Sequence, residues 1–591
     1  MMVSVRKLAL HVVGAVAWGL GWMSPAQAID ATPLRVRLVA FNDFHGQLEP
    51  GHLSLSGIDP VQPQRRAFVA AGGAAALAGV VSALRAQVPH SLVISSGDQI
   101  GAAPMVSTLL RHESTVDVLN RMGLDIATVG NHEFDAGLPE LQRVLGGGCA
   151  PAHPTLDSCV LGPHEGARFA VTAANVVDAR GHTVFAPFVV RAFEGVRIGF
   201  IGAVTRETPR IVTPSGVAGL RFEEEADAIN RAARLLEAQG VHAIVAVVHE
   251  GGEIGSPDGP PPDWNDTRCP NARGAVFKLV SRLSAAVDVV LSAHTHQGYR
   301  CLINGRPVMQ AFSYGRGVSV LDLVLDRRSG EVDRQASTHH NLPVFNERST
   351  GPVRDAWLAQ VPEPWQQALR RAVPDEAIAQ RVARYAAHIA PRTQEKVGQI
   401  RQPFTRDGRT DSAAGRLVAD AQLAATQAPS DGGAQVALMN PGGIRTDLPC
   451  SSNPEGCAIT RGQVLAMQPF GNTLVVMTLH GHELKALLES QARGTHAPLL
   501  LIPSRGLTYR WEAKAPPGQH VQDLRFNGEP IRDAQTLRVT VNSFLADGGD
   551  GFTVLKQGRE RFNSLQDAEA LARYLAATPQ RDEQPRITWR D

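Results

Sequence analysis

Val36-Arg37-Leu38-Val39-Ala40-Phe41-Asn42-Asp43-Phe44-His45-Gly46 decides the reading of the first half of the chain. Residues 36–41 are a β-rich apolar run of strand length, and residues 42–46 follow it at once with carboxamide, carboxylate and imidazole groups on a loop that ends in glycine. The same pattern recurs at residues 92–95 before Ser96-Gly97-Asp98, at 126–129 before Gly130-Asn131-His132-Glu133, at 243–248 before His249-Glu250-Gly251, and at 287–291 before Ala293-His294-Thr295-His296. Helix-like segments at 67–87 and 223–239 lie between these runs, and residues 196–201 form one further apolar run. Alternating strands and helices from residue 34 to about 326 predict a layered α/β domain, with the polar motifs at the strand ends where such sheets collect ligands.

Each motif alone is weak, because Gly-Asp is usually a turn and a histidine after a strand is usually a hydrogen-bonded structural residue. Five such loops together are a different matter. Their mixture of oxygen and nitrogen donors suits borderline divalent ions.

Lys plus Arg number 58 and Asp plus Glu 57, so no basic field exists to hold polymeric nucleic acid, and an anionic substrate must be attracted locally. With 591 residues, 43% hydrophobic and 19% charged, the chain is long enough for two or more cored domains. Arg6 and Lys7, an apolar run over 8–22 and Ala26-Gln27-Ala28 match a secretory signal peptide over residues 1–28. The expectation is a periplasmic or secreted protein with no membrane span after cleavage. Six cysteines then meet an oxidising compartment, and local pairing of Cys149 with Cys159, Cys269 with Cys301 and Cys450 with Cys457 is expected. The rival reading, a zinc cluster, lacks a Cys-x-x-Cys pair.

A proline-punctuated, helix-prone stretch over 353–390 reads as a linker containing a helix, followed by a second unit with apolar strands at 436–439, 474–479 and 537–541. There, Asn440-Pro441-Gly442-Gly443-Ile444-Arg445 offers close backbone approach and a planar guanidinium to an anion. Pro469-Phe470-Gly471-Asn472 and Asn542-Ser543-Phe544-Leu545-Ala546-Asp547-Gly548-Gly549-Asp550 each put an aromatic ring on a glycine-bearing loop, where it serves either core packing or the stacking of a planar base.

These motifs resemble those of the calcineurin-like metallophosphoesterases, and within them the secreted 5′-nucleotidase and UDP-sugar hydrolase family, over nearly the whole chain. The resemblance implies a four-layer α/β-sandwich catalytic domain at residues 29–350, a helical linker at 351–395 and an α/β substrate-binding domain at 396–591. It implies two divalent cations (Zn, Mn, Co or Fe): one held by Asp43, His45 and His296, the other by Asn131, His249 and His294, with Asp98 shared. Two such cations neutralise phosphoryl oxygens and lower the pKa of bound water. His132 would stabilise charge on the phosphate or the leaving oxygen and Asp135 would orient it. Phe470 and Phe544 would grip the base of a nucleotide substrate. Asn440, Gly443 and Asn472 would contact its polar groups, Arg445 and Arg409 its phosphate, and Asp550 its ribose. Arg406 competes with Arg409. The alternatives are a 2′,3′-cyclic nucleotide phosphodiesterase with 3′-nucleotidase activity, a sulfur-oxidation thiohydrolase, and a non-catalytic binding protein.

Overall fold

The computed structural model describes residues 32–50, 53–59, 66–256, 262–406, 410–450, 455–492, 498–577 and 584–591. The expected signal segment and Arg409 lie outside the described residues.

Strand Leu34–Phe41 sends alternate side chains into two cores: Leu34, Val36, Leu38 and Ala40 into one, Val39 and Phe41 into the other. It runs parallel to Ser91–Ser95 and antiparallel to Gly317–Leu325 in a six-stranded sheet that continues through Ile126–Thr128 to Ala170–Thr172. A second six-stranded sheet holds Ala243–His249 between parallel Val196–Val204 and Val289–Leu291. Its Ala243, Val245 and Val247 meet Leu34, Val36 and Leu38 in a core between the two sheets. Ile244, Ala246 and Val248 turn the other way, toward helices Glu225–Ala238 and Ala275–Arg282. Helices Ala74–Arg85, Glu113–Met122 and Leu138–Gly146 cover the outer face of the first sheet. The order is helix, sheet, sheet, helix, the four layers that the resemblance implies.

The second half is built on a five-stranded sheet with Val436–Met439, Thr536–Asn542 and Thr473–His480 as adjoining central strands. Helices Ala413–Thr426, Arg461–Met467 and Asp567–Ala577 pack on one face, and helix Gly481–Glu489 with the strand Leu507–Glu512 on the other.

Two expectations need correction. The segment 67–87 is not one helix: Arg66–Ala70 is a strand and the helix is Ala74–Arg85. Buried Ala67 and Val69 alternate with exposed Phe68, and Gly72 and Gly73 at φ +90° and +94° separate strand from helix. The linker holds three helices rather than one, Pro352–Ala359, Trp365–Arg371 and Glu376–Thr393, parted near Pro362, Pro364 and Pro374. Leu358, Trp365, Leu369, Ile378, Val382 and Ile389 bury themselves in the core that also holds Val39 and Phe41, so the stretch is docked on the first half. All three expected disulfides are present. Among the described residues no helix is long and apolar enough to cross a membrane.

Arg37, 2% exposed, ties strand Leu34–Phe41 to its surroundings. Its guanidinium donates to both oxygens of Asp322 at 2.6 and 2.7 Å, to the Leu84 carbonyl at 3.0 Å and to Gln87 at 2.7 Å. Truncating one partner strands the other's charge. Asp322→Ala is therefore expected to lower stability by about 3 kcal/mol, and the double change Arg37→Met/Asp322→Leu by less. The midpoint of the first urea transition of the three proteins checks this; a double variant less stable than Asp322→Ala contradicts it.

Candidate active site

The five polar loops leave the C-terminal ends of neighbouring strands in the two facing sheets and converge there. Their backbone is unusual. Asp43, His45, Asp98, His294 and His296 all lie in the left-handed region, at φ +48°, +48°, +52°, +73° and +56°. Each such residue costs on the order of 1–3 kcal/mol unless its surroundings dictate the conformation, and concentrations of this strain mark functional sites.

The convergence brings together two groups of side chains whose ligand atoms lie within 4.8 Å of one another: Asp43, His45 and His296, and Asp98, His249 and His294. The expected second set was Asn131, His249 and His294 with Asp98 shared, and Asn131 Oδ1 stands 3.1 Å from His249 Nε2. Asp98 Oδ2 stands 3.2 Å from His249 Nε2 and 3.6 Å from His45 Nε2, between the sets. Its Oδ1 accepts from the backbone N–H of His132 at 2.9 Å. His45 Nδ1 donates to the Gly101 carbonyl and His249 Nδ1 to the Ser96 carbonyl, each at 2.9 Å, so both present Nε2 to the centre. His45 Nε2 faces His296 Nε2 at 3.2 Å. Close approach depends on glycine: a Cβ on Gly130 would stand 2.1 Å from Asp98 Oδ1, and one on Gly97 2.5 Å from His249 Nδ1.

The electrostatics call for positive charge. Asp43, His45, Asp98 and His249 are at most 1% exposed. Burial opposes ionisation of Asp98, but His249, His132 and His45 hold its carboxyl well below the usual range. Burial also disfavours charge on His249, yet Asp98, Asp43 and Glu133 lift it to about 10, so Nε2 sits where a proton or a metal cation is stabilised. His45, with burial dominant, drops to about 3 and keeps its lone pair. Oxygen and imidazole donors around this buried negative charge fit divalent cations.

His132 lies beside this cluster, its ring centroid 5.2 Å from that of His45. Its Nδ1 pairs with Asp135 Oδ2 at 2.9 Å. Burial works against the imidazolium, but Asp135 and Asp98 raise it above its ordinary value.

His132, Asp135, Asn131 and His294 face the second half across a cavity of about 200 Å³ whose other walls include Asn440, Gly443, Arg445, Phe470, Asn472, Phe544 and Asp550. Phe470 stacks loosely toward His132, centroids 6.0 Å apart, and the Arg445 guanidinium lies 5.8 Å from the Phe470 ring. Asn440 donates to Asp550 at 2.8 Å and accepts from Asn542 at 3.0 Å. Asn472 Oδ1 accepts from Ser543 at 3.2 Å. Pro441 opens the short turn Pro441–Gly443, where a missing N–H breaks no bond, and a Cβ on Gly443 would stand 2.5 Å from the Met439 side chain. Every expected site residue that is described lies in the two groups of candidate ligands or lines the cavity. Arg406 does not line the cavity and pairs with Asp447 at 2.9 Å.

Three contributions escaped the sequence. Ile211, Val212 and Thr213 form a further wall from the first half, with no motif to signal them. Asn542 was visible in its segment but not as the residue that orients Asn440. Asn42 braces the centre by donating to Asp43 at 2.6 Å and to the Phe312 carbonyl at 2.5 Å, a role only the folded loop reveals.

Residues 393–557 match the family model described as the 5′-nucleotidase, C-terminal domain. The chain is similar to the endonuclease YhcR of Bacillus subtilis, 29% identical over 551 residues, which are 91% of this chain and 39% of that protein; it thus spans about two fifths of that relative. It is also similar to a probable 5′-nucleotidase of Treponema pallidum, 26% identical over 635 residues covering 97% of each chain. Among solved structures, that of a 5′-nucleotidase precursor from Thermus thermophilus superposes with a TM-score of 0.71 at 27% identity, over 94% of this chain and 99% of the other. The chain belongs to the 5′-nucleotidase family of calcineurin-like, metal-dependent phosphoesterases.

Proposed function

We propose that the protein hydrolyses nucleoside 5′-monophosphates to nucleoside and inorganic phosphate, and accepts UDP-sugars at the same centre. The observation that carries this reading is one cavity in which Asn131 and His294 of the candidate metal ligands, with His132, face Phe470, Phe544, Asn440, Arg445 and Asp550. One wall has groups suited to a phosphoryl transfer and the other has groups suited to a base and a ribose. We take residues 29–350 as the catalytic domain, 351–395 as the linker and 396–591 as the substrate-binding domain, a division supported by the family match over 393–557.

Asp43, His45 and His296 would hold one divalent ion and Asn131, His249 and His294 a second, with Asp98 shared; Zn, Mn, Co and Fe all suit these donors. When bound, the ions neutralise phosphoryl oxygens and lower the pKa of a water. The protein's own side chains do the rest. Arg445 attracts the phosphate, and the two phenylalanines hold the base by stacking. As water adds to phosphorus and the bond to the 5′ oxygen breaks, imidazolium His132 answers the charge developing on the phosphoryl or leaving oxygen. Asp135 holds that ring in place and keeps it protonated. The signal-like segment and the three disulfides support export, with cleavage after Ala28 and residence in the periplasm or outside the cell.

Two outcomes test this reading. His132→Ala is expected to lower kcat for AMP roughly 10²- to 10⁴-fold with metal content unchanged, measured by phosphate release and elemental analysis; undiminished turnover removes His132 from the reaction. Phe470→Ala and Phe544→Ala each remove stacking of about 1–3 kcal/mol, so KM for AMP should rise roughly 10-fold or more while hydrolysis of p-nitrophenyl phosphate changes little. A substrate panel of AMP, UDP-glucose and 2′,3′-cyclic AMP completes the test: preference for the cyclic ester contradicts the proposal.

A further inference from the structure

We infer that Glu133 is a positioning residue that locks the Asp98 loop to the Asn131 loop and thereby sets metal-ligand geometry without touching metal or substrate. The inference rests on the reading of Asp98 and Asn131 as ligands.

Glu133 ends the motif Gly130-Asn131-His132-Glu133 and is 4% exposed. Its Oε2 accepts from the backbone N–H of Asp98 at 3.0 Å and of Gly130 at 2.5 Å. Its Oε1 accepts from Gln99 N–H at 2.8 Å and Ile100 N–H at 3.4 Å. Two carboxylate oxygens offer about four acceptor positions, and four N–H groups take them. No lone pair remains for a cation, so Glu133 is not itself a ligand despite its place among them.

The backbone explains the geometry. Gly97 at φ +95° and Asp98 at φ +52° curl the loop so that the N–H groups of Asp98, Gln99 and Ile100 point to one side, a concavity that takes an anion. Glu133 supplies that anion from the neighbouring loop. The tie is reciprocal, because Asp98 Oδ1 accepts from His132 N–H at 2.9 Å. Each loop's carboxylate is thus bound to the other loop's backbone. A third strap runs from Gln99 Nε2 to Ser95 Oγ at 2.9 Å and to the Thr128 carbonyl at 3.1 Å. With both loops fixed, Asp98 Oδ2 and Asn131 Oδ1 approach His249 Nε2 at 3.2 and 3.1 Å. Residues that hold ligands in this way typically change metal affinity 10- to 100-fold when altered.

Glu133→Gln keeps size and shape but turns an amide N–H₂ toward N–H donors in a buried place, which breaks the clamp. In the full chain, Mn²⁺ affinity measured by calorimetry after chelation is expected to fall 10-fold or more relative to wild type. The visible spectrum of the Co²⁺-loaded variant should shift, and kcat for p-nitrophenyl phosphate should fall with KM unchanged. A variant with wild-type circular dichroism that binds Mn²⁺ within twofold of wild type overturns the inference. Failure of the wild-type chain to bind Mn²⁺ would overturn the ligand reading instead, so the two failures are distinct. Hydrogen–deuterium exchange on chelated wild-type protein needs no variant: the amides of Asp98, Gln99 and Gly130 should exchange as slowly as those of strand Ala243–His249. Exchange as fast as that of exposed loops overturns the clamp.

Discussion

Asp98 is a buried carboxylate with imidazoles on two sides, and the centre depends on how its charge is met. Neither Asp98 nor Asp43 pairs with a lysine or arginine among the described residues; their ion-pair partners are His45, His249 and His296. Taking two carboxylates out of water without a permanent cation is costly by several kcal/mol each. The fold answers with imidazoles whose outer nitrogens are tied to carbonyls and whose inner nitrogens face inward. Such a cluster is stable when cations occupy it, so metal binding and the folding of the strand-end loops are thermodynamically linked.

The two facing sheets bring these loops together. Asp43, Asp98 and Asn131 come from loops after strands of one sheet, His249 from the end of a strand and His294 from a loop of the other, and the apolar layer of Leu38, Val245 and their neighbours lies between the sheets. Asp43, His45, Asp98, His294 and His296 hold left-handed φ angles that the packed strands beneath their loops dictate. Among the described residues, the second half brings none into the two groups of candidate ligands. It reaches His132 through Phe470, so the proposed substrate grip and the proposed chemistry share one cavity.

Much of this was legible in the chain because apolar runs of strand length ended in residues that carry metal-donor atoms, a signal that survives without any knowledge of tertiary contacts. His249 and Asp98, 151 positions apart in sequence, could be grouped only because each followed a strand. What stayed hidden depends on backbone curvature or on contacts between distant segments. Glu133 stood in a quoted motif, but its role appears only when the 97–100 loop curls toward it. Ile211 to Thr213 carry no distinctive chemistry and matter by position alone. Alanine-rich composition favours helix over 67–87, yet the two glycines at 72 and 73 and the burial of Ala67 and Val69 on one face make Arg66–Ala70 a strand.

The most direct measurement is the number and position of divalent ions in the protein, by elemental mass spectrometry and anomalous X-ray scattering on the full chain loaded with Mn²⁺. The account predicts two ions per chain, both bonded to Asp98, one also to Asp43 and His45 and the other to Asn131 and His249. A chain that turns over AMP with no ion bonded to Asp98 would contradict it.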